Sequence, residues 1–199
     1  MSTIRSHFQT LSGKILLLAL LPVACFLLFI FSYVLPTLHE KLLNAKKASV
    51  QAVVDSTMGI LNNQVEEVQA GRRTQALAQE RTKALISTMR FDGSNYIYIQ
   101  GPGPMLLAHP RKDILNRPTD SLDPMLAKLF RDLDRVGQEP KGAFFEYQFT
   151  KEGQQGLYPK VTFVKKFQPW GWIIGAGIYM DDMEREFRTM ASWITGLSR

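Results

Sequence analysis

Apolar and polar positions are divided unevenly along this chain. From Ile15 to Leu35 no charged residue interrupts the apolar run. About 20 such residues, rising 1.5 Å each, are what a helix needs to cross a hydrocarbon core roughly 30 Å thick. The run predicts a transmembrane helix over 15–36. A cleaved signal peptide is the competing reading, but its apolar stretch is only about 7 to 15 residues and closes on a small-residue cleavage site. Here the run ends in Ser32-Tyr33-Val34-Leu35-Pro36. Pro22 falls in the first turns, and membrane helices tolerate proline.

Residues 38–90 contain no proline and are rich in Ala, Leu, Gln, Glu, Lys and Arg, all good helix formers. Val50, Val53, Thr57, Leu61, Gln64 and Val68 recur at three- and four-residue steps, which predicts one buried stripe. Gly71, followed by Arg72-Arg73, predicts the break between a long helix and a shorter one ending near Arg90. A plain coiled-coil stalk fits the same composition.

The pattern then changes period. Phe91-Asp92-Gly93-Ser94 is a turn cluster, and Tyr96 to Ile99 favour strand. Gly101-Pro102-Gly103-Pro104 reverses the chain, so 95–109 reads as a hairpin. Its glycines do not make a phosphate loop, because the adjoining prolines lack backbone donors and no Lys-Ser/Thr follows. After an irregular stretch, Asp123 is a helix N-cap with Pro124 at the first helical position, and the helix runs to Gly137. Phe144–Thr150, Lys160–Phe167 and Trp172–Tyr179 read as three further strands. The last segment places Met180, Met183, Phe187, Met190, Ile194 and Leu197 in a three-four alternation, an amphipathic C-terminal helix over 180–199 with one face for a partner.

These elements predict an α+β fold: a transmembrane helix, a long helix packed on a five-stranded, mostly antiparallel sheet, and a C-terminal helix. One sheet face takes the long helix. The other, with its own loop and helix, is left to enclose something.

Composition removes several function classes. The net charge is +6, yet no basic run interleaved with stacking aromatics suggests nucleic acid. The one cysteine, Cys25, lies in the apolar run, so neither an intrachain disulfide nor a cysteine zinc site is available. His7, His39 and His109 are the histidines, and none has a second at metal-ligand spacing. No nucleophile elbow or paired nucleophile and base is evident. The reading is therefore not an enzyme, with no cofactor. Arg5 and Lys14 make residues 1–14 a cytoplasmic tail. Lys41, Lys46 and Lys47 nearly balance that charge bias, but the long following domain translocates largely regardless of charge and is placed outside.

Four separated stretches carry a family resemblance: Phe91-Asp92-Gly93-Ser94-Asn95-Tyr96-Ile97-Tyr98, Ala108-His109-Pro110, Tyr158-Pro159-Lys160-Val161-Thr162-Phe163-Val164, and Trp170-Gly171-Trp172-Ile173-Ile174-Gly175-Ala176-Gly177-Ile178-Tyr179-Met180-Asp181-Asp182. In this order they resemble the single Cache domain found outside the membrane in bacterial chemoreceptors and sensor kinases, over about residues 37–190. The resemblance implies a PAS-like sheet and a pocket for an acetate, pyruvate or lactate type of organic acid. It implies pocket positions at Tyr96, Tyr98, His109, Tyr147 and Lys160, with Arg90 as the basic residue ending the second helix. Gly101-Pro102-Gly103-Pro104 departs from the acidic turn common there, and Phe163 from a frequent tyrosine.

A carboxylate pocket needs a cation or strong donors and a low-dielectric wall. Lys160 and His109 supply the first, and the tyrosine hydroxyls are further donors. Tyr96 and Tyr98 share one strand face, as do Phe145, Tyr147 and Phe149. The plainer alternatives are that the tyrosines are core, that His109 caps the hairpin, that Lys160 is a solvent-facing strand end, that Trp170 and Trp172 are core or lid, and that Lys165-Lys166 and Asp181-Asp182 are solvated surface. The expectation is a sensor in the bacterial inner membrane, soluble domain periplasmic, paired as a homodimer. Its output module is missing or supplied in trans by a signalling partner. The rival is a non-sensing accessory protein that docks to a membrane partner through Met183, Phe187 and Met190.

Overall fold

The structure, a computed structural model, describes residues 11–195, with side chains placed for 13–193. The tail before Leu11, Leu197 and the side chain of Ile194 fall outside the described residues. Helix α1 (Leu11–Phe29) passes through a single π turn (Ile30–Val34) into α2 (Leu35–Gln69). Pro36 therefore does not end the helix. A proline nitrogen has no proton to give the carbonyl one turn back, and the wide turn just before Pro36 accommodates that loss. The side chains of α1 from Lys14 onward are exposed, and the segment is long and apolar enough to cross a membrane.

Two compact units divide the chain, 1–44 with 187–199, and 45–186. In the first, Phe187 meets the His39 ring edge-on at 5.0 Å. The second holds the sheet. Its part of α2 ends at Gln69, where Gly71 turns left-handed (φ +68°), a conformation glycine adopts without steric cost. Thr74 caps α3 (Gln75–Thr88). The strands are β1 (Arg90–Phe91), β2 (Asn95–Gly101), β3 (Met105–Ala108), β4 (Ala143–Phe149), β5 (Tyr158–Phe167) and β6 (Trp172–Tyr179). Helix α4 (Pro124–Gly137) precedes β4, and α5 (Met180–Thr195) follows β6 directly. Asp123 accepts from the Met125 amide as N-cap, with Pro124 first in the helix.

The sheet order is β1-β2-β6-β5-β4, with β3 also paired to β2, and every pairing is antiparallel. The two-residue β1 was not expected from sequence; it falls where a turn was read. Strand β6 is buried along its whole length, because both sheet faces are covered. On one face Ile97, Ile99, Phe163, Ile174 and Ile178 pack with Val50, Val54, Met58 and Leu61 of α2 and Ala78 and Ile86 of α3. The fully buried residues of α2 are thus Val50, Val54, Thr57, Met58 and Leu61; Val50, Thr57 and Leu61 lie on the predicted line, and Val53 and Val68 pack half-buried against the same core. Trp170 and Trp172 belong to this helix-side core, their rings 4.7 Å apart. On the other face Tyr96, Tyr98, Phe149, Val164 and Ile173 pack with Leu129, Phe130 and Leu133 of α4. Met183 is buried within the same unit, so it is core rather than part of a docking stripe.

Candidate functional site

Strand register builds the site on the α4 face. Lys160 on β5 lies opposite Tyr147 of β4 on one side and Tyr179 of β6 on the other. Residues cross-paired in this way project to the same face. Tyr98 pairs with Gly175, and Thr162 with Gly177. The two glycines are spatial necessities. A Cβ at Gly175 would overlap the Tyr98 ring, and one at Gly177 would lie 2.9 Å from Lys160 Cε and 2.7 Å from the Val161 carbonyl oxygen. Side-chain-free positions on β6 let a lysine stem and a tyrosine ring lie across the strand.

Lys160 is 1% exposed, and its Nζ has no hydrogen-bond partner. The amine stands 3.9 Å from the centre of the Tyr96 ring, 4.7 Å from that of Tyr179 and 5.6 Å from that of Phe149. Burial without a counter-ion pushes its pKa down to about 7. His109, also buried, meets Tyr96 edge-on at 4.9 Å and Phe149 at 5.6 Å. Its Nδ1 accepts the Arg111 amide at 2.9 Å. Burial, then the positive charges of Lys160 and Arg111, hold His109 well below the usual histidine range. The ring is therefore neutral at pH 7, and with Nδ1 accepting, the proton is assigned to Nε2, a donor.

Phenols complete the lining. Burial pushes Tyr98 up to about 12, and its hydroxyl lies 3.4 Å from Thr162 Oγ1, which donates to the Ala176 carbonyl at 2.6 Å. Burial raises Tyr96 and Tyr147 well above the ordinary tyrosine range. Each stays protonated, able to donate. Tyr179 donates to the Thr150 carbonyl at 2.7 Å. The arrangement is one unpaired buried cation, a neutral imidazole and several phenolic donors around it. Such a set has the chemistry to hold a small anion, since charge-assisted hydrogen bonds are roughly twice as strong as neutral ones.

Five of the six residues expected from sequence come together here: Tyr96, Tyr98, His109, Tyr147 and Lys160. Arg90 does not. It is exposed, and its guanidinium donates to the Ser87 and Met89 carbonyls at 3.0 and 2.9 Å, held by the electronegative end of α3. Phe163 points into the helix-side core, 4.9 Å from Phe144, so its missing hydroxyl does not face the Lys160 cluster. Asp181 and Asp182 are not merely solvated surface. They hold the buried Lys151 amine at 2.6 and 2.9 Å. Lys165 pairs with Asp55 at 2.6 Å.

Sequence reasoning placed Phe149 on the face of Tyr147 but missed Tyr179, Thr162 and Arg111. Arg111 reaches Thr150 Oγ1 at 3.2 Å and Asp113 Oδ1 at 3.1 Å, with its guanidinium 5.8 Å from the Phe149 ring centre. Parity with Lys160 would have found Thr162. Tyr179 depends on the register of β6 against β5, which no single segment carries. Beside the site an open groove of about 550 Å³ runs between α4 and β4, sharing Arg111, Tyr147, Phe149 and Thr150 with its wall.

Two helices on one face of a β3-β2-β6-β5-β4 sheet, and a loop and helix closing the other face over a polar cluster, define the PAS-like class of α+β sensor domain. The chain belongs to the single Cache domain 2 family, whose description it matches over residues 42–193. It is 28% identical over 189 residues to the methyl-accepting chemotaxis protein McpP of Pseudomonas putida, covering 94% of this chain and 34% of that protein. It therefore spans about a third of that relative's length. A solved periplasmic sensor domain of a chemotaxis protein superposes with a TM-score of 0.63 at 27% identity, covering 69% of this chain and 96% of that one. A Cache chemosensory domain described for its carboxylic acid recognition superposes at 0.60 and 27% identity, covering 71% and 97%.

Proposed function

We propose that this chain is a membrane-anchored sensor whose domain, on the outer side of the bacterial inner membrane, binds a small organic acid and passes its occupancy to a signalling segment or partner. The observation that carries this reading is the Lys160 amine, fully buried and without a hydrogen-bond partner. Leaving an isolated charge in a low-dielectric interior costs several kcal/mol unless a counter-ion arrives. A carboxylate placed against Nζ satisfies that amine and accepts from Tyr96, Tyr147 and His109 Nε2. Binding stabilises the closed form by its differential affinity for the two states and no more. The site is a binder rather than a catalyst: His109 Nδ1 is occupied by a backbone amide, and its ring neighbours are aromatic side chains. Pairing of two copies along the long helices belongs to the same reading.

Isothermal titration of the full chain in lipid nanodiscs with acetate, pyruvate and lactate tests it. We expect saturable binding of at least one acid, lost in Lys160→Met and kept in Arg90→Ala. Flat titrations for all three at millimolar concentration overturn the reading. The docking alternative has in its favour the half-exposed Phe187 and the exposed Met190. It predicts that Lys160→Met leaves function intact.

A further inference from the structure

The groove between α4 and β4 asks for an explanation of its own. Its volume of about 550 Å³ lies in the range of roughly 300–1,000 Å³ typical of sites for drug-sized molecules, far more than a two- or three-carbon acid fills. Leu126, Leu129, Phe145 and Phe149 line it, and Met125 and Leu157 stand at its edge, 58% and 49% exposed. Large apolar side chains left in water side by side mark a binding surface more often than chance exposure does.

The groove's charged residues already have partners. Lys128 pairs with Asp132 at 2.5 Å, Arg111 with Asp113, and Asp123 caps α4. An anion laid along the groove would find no free cation among these. The unpaired amine lies behind the wall: Phe149 has Lys160 Nζ at 5.6 Å and the Arg111 guanidinium at 5.8 Å from its ring centre. Tyr147 belongs to both places, its ring lining the groove and its position opposite Lys160 fixed by strand register. The partition between the anion site and the groove is therefore one layer of aromatic side chains.

We propose that the ligand of this domain is a carboxylate carrying an apolar chain or aryl group of about four carbons or more, its head on Lys160 and its tail in the α4–β4 groove past Tyr147. This rests on the carboxylate reading above and narrows it to amphipathic acids. Each methylene removed from water tightens binding about fourfold. A tail is bound by apolar burial while the head supplies orientation, the usual division of labour in small-molecule sites.

The test is calorimetry on the full chain in nanodiscs, with acetate, butanoate and hexanoate as probes, for the parent, for the double variant Met125→Glu with Leu157→Glu, and for Lys160→Met. Both glutamates replace exposed residues, so the fold is not at stake. We expect hexanoate to bind more than tenfold tighter than acetate, with that ratio falling at least fivefold in the double variant and the hexanoate signal lost in Lys160→Met. Acetate binding with hexanoate no tighter, or excluded, overturns this inference and leaves the carboxylate reading standing. A hexanoate signal that survives Lys160→Met is partition into the lipid and also overturns it. Binding of none of the three acids overturns both readings together.

Discussion

Replacing Lys160 with methionine is expected to stabilise the ligand-free protein at neutral and acid pH. Methionine keeps the unbranched length of the lysine stem and removes the amine that has no partner. The lysine's ordinary value of 10.5 is lowered by burial to about 7, and at about 1.4 kcal/mol per unit this gap is worth about 5 kcal/mol. The sign follows from proton counting. Below pH 7 both folded and unfolded chains carry the charge, and the folded state bears the full desolvation cost. Between pH 7 and 10.5 the unfolded chain holds the proton and the folded one does not, so stability rises with pH until the cost is gone. The Tyr96 ring at 3.9 Å opposes part of this, by up to about 2 kcal/mol for a desolvated cation over an aromatic face. The expected gain in Lys160→Met is thus about 3 kcal/mol at pH 6, about 2 kcal/mol at pH 9, and nothing near pH 11. For a domain of this size 1 kcal/mol moves the melting point by about 2–4 °C, so the variant melts roughly 10 °C higher at pH 6. Thermal unfolding of the full chain in nanodiscs, followed by circular dichroism in carboxylate-free buffers, measures it. A variant that melts below its parent at pH 6 would show that groups inside the chain already stabilise the charged amine, and the argument for an external anion would fail with it.

The same titration governs binding. Because the amine must be charged to hold a carboxylate, acetate affinity is expected to be flat up to about pH 7 and to fall about tenfold per unit above it, with uptake of close to one proton in calorimetry repeated in two buffers; pH-independent affinity from 6 to 9 refutes the assignment. Gly175→Ala drives a methyl group into the Tyr98 ring, which costs about 1–3 kcal/mol as overpacking and weakens acetate binding, read by melting and by titration; an unchanged melting point would show that Tyr98 is free to move. Lys151→Met strips Asp181 and Asp182 of the cation that both contact and is expected to destabilise by about 2 kcal/mol. That is less than the 3–5 kcal/mol of a fully buried pair, since both carboxylates are partly exposed; urea denaturation checks it.

Local signals account for most of what the sequence revealed. The charge-free run at Ile15–Leu35, the Asp123-Pro124 helix start, the Gly71 break and the β-branched and aromatic strands all depend on near neighbours, and the elements stand where those neighbours put them. The expected stripe on α2 holds at Val50, Thr57 and Leu61, with Val53 and Val68 half-buried against the same core; Val54 and Met58 join it because tertiary packing widens the buried face. The π turn that carries the helix past Pro36 has no sequence signature of its own. In the site, strand alternation was enough to put Tyr96 with Tyr98 and Tyr147 with Phe149. Arg90 was misplaced because a helix C-terminus competes for its guanidinium. Tyr179 and the purpose of Gly175 and Gly177 were invisible, since they exist only once β6 is paired between β2 and β5.

Two lysines of this domain make the case for an outside partner by contrast. Lys151 and Lys160 are both buried, and the Tyr179 ring stands 4.8 Å from one amine and 4.7 Å from the other. At Lys151 the fold supplies two carboxylates from the first turn of α5, and burial of the charge is offset within the chain. At Lys160, across the same ring, it supplies none. A buried lysine kept only for packing is easily replaced by methionine or leucine without loss. A chain that pairs one such cation and leaves its neighbour without a partner has the electrostatics that the proposed anion receptor requires. Because Tyr179 touches both amines and Lys151 grips the start of α5, a charge brought to Lys160 on the proposed reading would act one ring away from the ion pairs that hold that helix.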